Sequence, residues 1–199
     1  MGKDNNSNAH VTPHSLWCEA VDYNFANGTD YVINNGTYSS VVYLLSKIII
    51  TAKEKVTLSS GKLLDDIAGY NIFNSKEIID ATCQFLQKPN TSLDILVYDH
   101  NFDEKESKFL KTLKEQSQDF KGVLKLHIRK SEYDFSSIQL PHFIYNDNGS
   151  YRVEQNKPKD SPHAIGQAKN YTMTKFLQET FTDFLIKKEI FNNTIIIGN

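Results

Sequence analysis

Residues 93–98 form the short aliphatic run Leu93-Asp-Ile-Leu-Val-Tyr98, which predicts a central β-strand covered on both faces. Apolar residues at helical spacing flank this run on both sides. The preceding helix is expected to begin at Asn74-Ser-Lys-Glu77 and to end before Pro89, and a charged surface helix is expected over residues 103–118. Residues 123–128 then predict a second strand, so strands and helices alternate in this part of the chain.

The N-terminal part of the chain extends the same pattern. A helix is predicted from residue 37 to residue 55, with Thr37 or Ser39 as its N-cap, and a strand is predicted over residues 56–60. Residues 11–36 contain turn dipeptides and are expected to form a loop or one short strand.

The C-terminal part is predicted to contain a hairpin over residues 142–155, a long amphipathic helix after residue 170 and a strand over residues 194–197. Repeated strand–helix–strand units predict an α/β domain whose mixed, largely parallel sheet is flanked by helices. The length of the chain favours one domain over residues 11–199, preceded by a flexible polar tail over residues 1–10.

The composition argues against several classes of protein. The net charge of −2 provides no overall positive field for nucleic acid or an anionic membrane, although local basic patches remain compatible with it. Cys18 and Cys83 match no metal-ligand spacing, and we expect neither a metal nor a cofactor. Residues 1–10 lack an apolar signal region, and the longest apolar run, residues 41–50, is about half the length of a membrane span. We therefore expect a cytoplasmic protein without a membrane partner.

The hairpin contains more chemically reactive side chains than any other segment: His142-Phe-Ile-Tyr-Asn-Asp-Asn-Gly-Ser-Tyr-Arg-Val-Glu154. Asn148-Gly149 is the preferred pair for a two-residue type I′ turn. That turn sets a register in which Tyr145 lies opposite Arg152.

This register divides the reactive side chains between two faces of the hairpin. His142 lies on the more apolar face, whereas Asp147, Arg152 and Glu154 lie on the other. His142 is either a core-edge histidine bonded to the backbone or a functional group. Arg152 and Glu154 form either a cross-strand surface contact or part of a ligand-binding site.

Polar residues also follow the two predicted central strands. Asp99-His100 comes directly after the first strand, and Arg129-Lys130 comes directly after the second. In open α/β sheets, ligands bind at the carboxyl ends of the strands, so these pairs are either part of a pocket or solvated loop residues.

The order of predicted elements, together with His142 on a hairpin strand and Gly166-Gln-Ala-Lys-Asn170 before a long helix, resembles one repeat of the phospholipase D-like superfamily. The resemblance covers roughly residues 37 to 187. It implies a histidine that attacks phosphorus, and a lysine and an asparagine that hold phosphate oxygens. It also implies a homodimer, because two repeats or protomers meet to form one active site.

The family pattern is matched in part. His142 corresponds to the histidine, Asn170 corresponds loosely to the asparagine, and Asp147 lies near the expected acidic position. The lysine position is occupied by Ile144 and the acidic position by Gly149. Further candidates are a second imidazole, substitute cations and two ligand-binding residues: His163, Lys159 or Lys169, and Arg152 with Glu154.

These observations support two functions and leave a third open. The first is a diverged, non-catalytic phospholipase D-like domain, a pseudoenzyme that acts as a binding or regulatory module for a phosphate-containing ligand or nucleic acid. The second is a phosphodiesterase or nuclease that uses His142 as its nucleophile. The third is an α/β interaction protein of another superfamily, in which the hairpin is only structural. Ile144 favours the first function, because a phosphoryl-transfer site without its cation lacks the electrostatic stabilisation that dominates the rate.

Overall fold

The computed structural model describes residues 12–61, 63, 66–67, 70–99, 102–129, 141–154, 164–186 and 193–198. The flexible tail predicted for residues 1–10 and the candidate His163 lie outside the described residues. Within them the helices are α1 (Pro13–Asn27), α2 (Tyr38–Ile50), α3 (Lys76–Leu86), α4 (Lys108–Gln116) and α5 (Tyr171–Ile186). The strands are β1 (Ile33–Asn35), β2 (Lys55–Ser60), β3 (Asp66–Ile67), β4 (Tyr70–Asn71), β5 (Ser92–Val97), β6 (Val123–Ile128), β7 (Phe143–Asn146), β8 (Tyr151–Glu154), β9 (Ala164–Gln167) and β10 (Asn193–Ile197). None of the described helices is long and apolar enough to cross a membrane.

Eight of these strands form one sheet in the order β1-β9-β8-β7-β2-β5-β6-β10. This arrangement confirms the α/β fold with a mixed sheet flanked by helices. The sheet is not largely parallel, however, because only β2–β5 and β5–β6 pair in parallel and the other five neighbouring pairs are antiparallel. The parallel pairs are those whose strands are separated along the chain by α3 and α4, as a parallel crossover requires.

Residues 13–27, for which the turn dipeptides predict a loop or a short strand, form α1 instead. Thr12 and Ser15 form a capping box at its start, and Gly28 ends it with a φ of 59°. Few side chains of α1 are buried, Val21 among them. The helix therefore lacks the broad apolar stripe that identifies α2 in the sequence.

Helices α2, α3 and α4 begin at hydroxyl N-caps. Thr37 caps α2, as predicted, and Ser75 caps α3 by accepting a hydrogen bond from the Ile78 N–H. Because Ile78 occupies the third helical position, Glu77 does not form the capping box that the sequence indicates. The predicted helix over residues 103–118 is shorter and begins after the cap Ser107.

Apolar cores cover both faces of the sheet. One face packs against α2, α3 and α4, and its fully buried side chains include Leu44, Phe85, Ile95 and Phe109. The opposite face packs against α5 through Phe143, Tyr145, Tyr151, Leu177 and Phe181.

The hairpin of β7 and β8 has a three-residue loop rather than the predicted two-residue turn. Asn146 pairs with Ser150 through a backbone hydrogen bond, and residues 147–149 form the loop. The Asn146 side chain accepts hydrogen bonds from the N–H groups of Asn148 and Ser150, and Gly149 has a φ of 88°. A left-handed glycine at the last loop position is typical of three-residue hairpin loops.

The longer loop shifts the register by one residue and corrects the predicted faces. Arg152 lies opposite Ile144, not opposite Tyr145. Alternate side chains of a strand point to opposite faces, so Arg152 and Glu154 share a face with His142 and Ile144. Asn146 on this face donates a hydrogen bond to the Ile48 carbonyl of α2.

The carboxylate of Asp147 stabilises the start of β2. Oδ1 accepts a hydrogen bond from the Lys53 N–H at 3.0 Å, and Oδ2 accepts one from the Glu54 N–H at 2.8 Å. Because both oxygens are engaged with backbone N–H groups, the side chain resembles a helix cap in its function.

Replacement of Asp147 with alanine should therefore lower the free energy of unfolding by about 1 kcal/mol, as the loss of a capping carboxylate does. Urea denaturation measures this change. Glu179→Ala, which removes an exposed carboxylate from α5, is the matched control and should leave the unfolding midpoint unchanged. Equal stability of the two variants would contradict a structural role for Asp147.

Candidate functional site at the carboxyl edge of the sheet

One edge of the sheet collects the ends of strands from distant parts of the chain. The carboxyl ends of the parallel strands β2, β5 and β6 lie there. The start of β7, the end of β8, the start of β9 and the end of β1 lie there as well, because these strands pair antiparallel to their neighbours. We call this the carboxyl edge. Its described residues include Asn35, Gly61, Tyr98, Asp99, Arg129, His142 and Glu154.

His142 lies at this edge, immediately before β7, with 28% of its side chain exposed. Its Nδ1 atom is 3.5 Å from Oε2 of Glu154. The Tyr98 ring contacts the imidazole edge to face, with 5.5 Å between the ring centroids. A Cβ atom at Gly61, directly after β2, would lie 3.4 Å from Nε2, so the imidazole is in van der Waals range of this position.

Arg152 is almost completely buried beside His142, with 5% of its side chain exposed. Its Nη2 atom is 2.9 Å from Oε1 of Glu154, and its Nε atom donates a hydrogen bond to Oδ1 of Asn35 at 2.9 Å. Asn35 in turn donates a hydrogen bond to the Ala164 carbonyl at 3.3 Å. These contacts fix the guanidinium in one orientation and connect β8 to β1.

Gly166 allows β9 to pack closely against β8 and α2 beside Arg152. Gly166 lies opposite Arg152 in β9, between β8 and β1. A Cβ atom there would be 2.7 Å from the Tyr151 carbonyl oxygen and 3.0 Å from Leu44 in α2. Any larger residue would therefore displace the backbone or α2 at this point.

The residues predicted at the strand ends are partly described. Arg129 lies at the carboxyl edge, where its Nη1 atom donates a hydrogen bond to the Tyr98 carbonyl at 3.1 Å. Asp99 also lies there, and its N–H donates to the Gly61 carbonyl at 2.9 Å. His100 and Lys130 are outside the described residues.

Asp147 and Asn170 lie at the opposite end of the hairpin from His142. The five residue steps from His142 to Asp147 place them about 16 Å apart along β7. Asn170 donates its N–H to the Gly149 carbonyl at 2.7 Å, and its Oδ1 atom caps α5 by accepting a hydrogen bond from the Met173 N–H. The structure thus brings together His142, Arg152 and Glu154, but neither Asp147 nor Asn170 joins them.

Lys169, one of the two substitute cations considered from the sequence, is also remote from His142. Lys169 lies over the Tyr171 ring at the start of α5, 5.7 Å from the ring centroid. Lys159 is outside the described residues.

Asn35 and Gly61 are site residues that the sequence does not identify. Asn35 is separated from Arg152 by 117 residues, and its position in Asn34-Asn35-Gly36 indicates only a turn. Gly61 indicates only an irregular segment. Neither residue has a local sequence signal for its role, because both roles depend on the order of strands in the sheet.

A second polar cluster lies on the α5 face of the sheet. Asp94 is 3.5 Å from Nζ of Lys55 and 3.9 Å from Nε2 of His127. Burial alone raises the pKa of Asp94, but the nearby His127 imidazole and the charges of Lys55 and Lys125 bring its pKa below the ordinary value. The described residues contain no group of three or more histidine, cysteine, aspartate or glutamate side chains that could hold a metal ion.

The low pKa of Asp94 predicts a contribution to stability that depends on pH. A carboxyl group with a lower pKa in the folded state stabilises the protein above its unfolded pKa of about 4, and this contribution is lost as the pH falls through the folded value. Asp94→Asn should lower the free energy of unfolding at pH 7 by about 1–2 kcal/mol. Urea denaturation at pH 7 and pH 3 should show a smaller difference at the lower pH, and an unchanged difference would contradict the assignment.

The position two residues after His142 cannot accept a cation without loss of stability. Ile144 is 1% exposed and packs in the core shared with α2. Ile144→Lys should lower the free energy of unfolding by about 4 kcal/mol or more, because it buries an unpaired ammonium group. Thermal unfolding measures this effect. Ile196→Lys is the control, since Ile196 is a strand residue that is 64% exposed and should tolerate the charge. A normal melting temperature for Ile144→Lys would contradict the core assignment.

Comparison with known proteins supports the fold. No protein-family model matches the chain, and no curated protein sequence matches it. Among solved structures, TrmBL2, an archaeal chromatin protein, is similar with a TM-score of 0.51 and 12% identity, over 78% of this chain and 52% of that chain. NucT from Helicobacter pylori has a TM-score of 0.49 and 10% identity, over 85% and 100% of the two chains. Phosphatidylserine synthase from Haemophilus influenzae Rd KW20 has a TM-score of 0.47 and 9% identity, over 83% and 39%. This chain spans about half the length of the TrmBL2 chain, with which it shares its fold.

Proposed function

We propose that this protein is a non-catalytic phospholipase D-like domain that binds a phosphate-containing ligand at the carboxyl edge. The observation that carries the proposal is that His142 and Arg152 lie on the same face of the hairpin. The carboxylate of Glu154 contacts both, at 3.5 Å from Nδ1 of His142 and 2.9 Å from Nη2 of Arg152. An imidazole and a guanidinium on one face are two donors suited to phosphate oxygens.

The position of the cluster supports ligand binding. Ligands of open α/β sheets bind outside the carboxyl ends of the strands. Arg129 lies at the same edge and adds a second guanidinium. Guanidinium groups are suited to phosphate because their planar array of donors matches its oxygens.

Nucleic acid is one source of the phosphate group in this proposal. TrmBL2, whose fold this chain shares, is described as a chromatin protein with a novel mode of DNA binding. The net charge of −2 provides little long-range attraction, so affinity would depend on the local donors at the carboxyl edge.

The charges at the edge favour binding over catalysis. Phosphoryl transfer depends on cations that stabilise the charge of the transition state. Here the Arg152 guanidinium is paired with Glu154, and the core residue Ile144 occupies the position of the family lysine.

The alternative function is a phosphodiesterase or nuclease with His142 as nucleophile. One contact favours it: Glu154 lies 3.5 Å from Nδ1 of His142. A carboxylate at Nδ1 orients an imidazole and leaves Nε2 as the atom that attacks.

The proposal includes a homodimer in the cytoplasm. The phospholipase D-like resemblance supports the dimer, because that family forms its site between two repeats or protomers. Cys18 and Cys83 are both free thiols, as expected for a reducing compartment. Sedimentation equilibrium tests the dimer, and a monomeric mass at micromolar concentration would contradict it.

The binding experiment uses inorganic phosphate and a 5′-phosphorylated single-stranded oligonucleotide as probes, measured by calorimetry and fluorescence anisotropy. His142→Ala should weaken phosphate binding about tenfold, because a hydrogen bond to a charged group contributes about 1.5 kcal/mol or more. His14→Ala removes an exposed histidine from α1 and is the matched control, with unchanged affinity. Unchanged phosphate affinity of His142→Ala would contradict the proposal.

The activity experiment uses bis(4-nitrophenyl) phosphate, for which we expect no turnover. Hydrolysis that His142→Ala abolishes at an unchanged melting temperature would establish the alternative function instead. If bis(4-nitrophenyl) phosphate is not hydrolysed but phosphate raises the melting temperature, the binding function is retained and catalysis is excluded for this substrate.

A further inference from the structure

The carboxylate of Glu154 occupies the space between the two proposed phosphate donors. One oxygen is 2.9 Å from Nη2 of Arg152, and the other is 3.5 Å from Nδ1 of His142. A single anion thus bridges both groups, as two oxygens of a phosphate would.

The two partners of the ion pair differ in their freedom to separate. Arg152 is held by Asn35 and has 5% of its side chain exposed. Glu154 is the last residue of β8, and 26% of its side chain is exposed. Glu154 therefore has direct access to solvent, whereas the guanidinium stays in place.

A buried guanidinium requires an anion. Removing one partner of a buried ion pair is strongly destabilising, because the remaining charge is left uncompensated. A conformation in which Glu154 has moved into solvent is therefore populated only when another anion takes its place beside Arg152.

We infer that Glu154 is an intramolecular substitute for the ligand, which a phosphate group displaces when it binds. The inference rests on the proposed function, since it concerns the same donors. It also specifies the class of ligand. A phosphodiester carries one negative charge and replaces the carboxylate without any gain in charge. A phosphomonoester carries close to two charges above its second pKa of about 6 and interacts more strongly with both donors. The site therefore selects terminal phosphate groups over internal phosphodiesters.

The test compares Glu154→Gln with the wild-type protein by calorimetry at pH 7.5, using inorganic phosphate, phenyl phosphate and dimethyl phosphate. Glutamine preserves the shape of the side chain but does not compete as an anion. Glu154→Gln should bind inorganic phosphate and phenyl phosphate about tenfold more tightly than the wild type, the change expected for one charged contact of about 1.4 kcal/mol. Dimethyl phosphate should bind only to Glu154→Gln. Glu115→Gln, an exposed carboxylate on α4, is the control and should behave as wild type.

The outcomes separate this inference from the proposed function. If the wild type binds phosphate and Glu154→Gln binds it equally or more weakly, Glu154 is not a competitor and only the inference fails. If neither protein binds any of the three probes, the proposed function fails together with the inference.

Folding of the variant provides a second measurement. Glu154→Gln should have a lower melting temperature than wild type in chloride, and phosphate at equal ionic strength should restore it. If the variant fails to fold in both salts, Glu154 has a purely structural role and the inference is wrong. Recovery in phosphate alone supports displacement even if calorimetry is prevented by instability.

Discussion

The loop between β7 and β8 contains three residues because the Asn146 side chain holds the N–H groups of Asn148 and Ser150, while Gly149 adopts a left-handed conformation. This local constraint determines the register of the whole hairpin. A one-residue shift in a hairpin moves the side chains of one strand to the other face relative to its partner. The contact of His142 and Arg152 with one carboxylate therefore depends on the geometry of a loop at the far end of the strands.

Local patterns account for the parts of the fold that were predicted correctly. The bounds of β6 agree with the prediction over residues 123–128, and Thr37 caps α2, because apolar spacing and capping chemistry act within a few residues. The extent of parallel pairing was predicted incorrectly, since strand order depends on contacts between distant segments. Helix α1 was missed for a different reason: a helix with few buried residues lacks the periodic signal, although Thr12, Pro13 and Gly28 mark both of its ends.

Candidate site residues were predictable by chemistry but not by position. The sequence singles out His142, Arg152 and Glu154 as reactive side chains of one hairpin, but it does not place them at the edge where the strand ends converge. The predicted two-residue turn puts Arg152 and Glu154 on the opposite face from His142. This prediction is wrong because the preference of Asn148-Gly149 for such a turn takes no account of the neighbouring residues. Asn146 and Asp147 change this preference through hydrogen bonds to the loop and to residues 53–54, which no dipeptide rule includes.

Burial makes the ion pair at the carboxyl edge asymmetric. The Arg152 guanidinium is buried and bound to Asn35, so moving it would break a buried hydrogen bond and leave the Asn35 Oδ1 atom without this donor. Glu154 ends the same strand and is partly exposed, so rotation of one side chain releases it into water. A surface ion pair contributes little to stability, whereas a buried guanidinium strongly requires a counter-charge. In the Arg152–Glu154 pair the cation is buried, whereas the anion is partly exposed and can be replaced. An incoming anion therefore gains most of the interaction with Arg152 while the protein loses little by solvating Glu154, and the strand that carries both residues keeps its hydrogen bonds throughout the exchange.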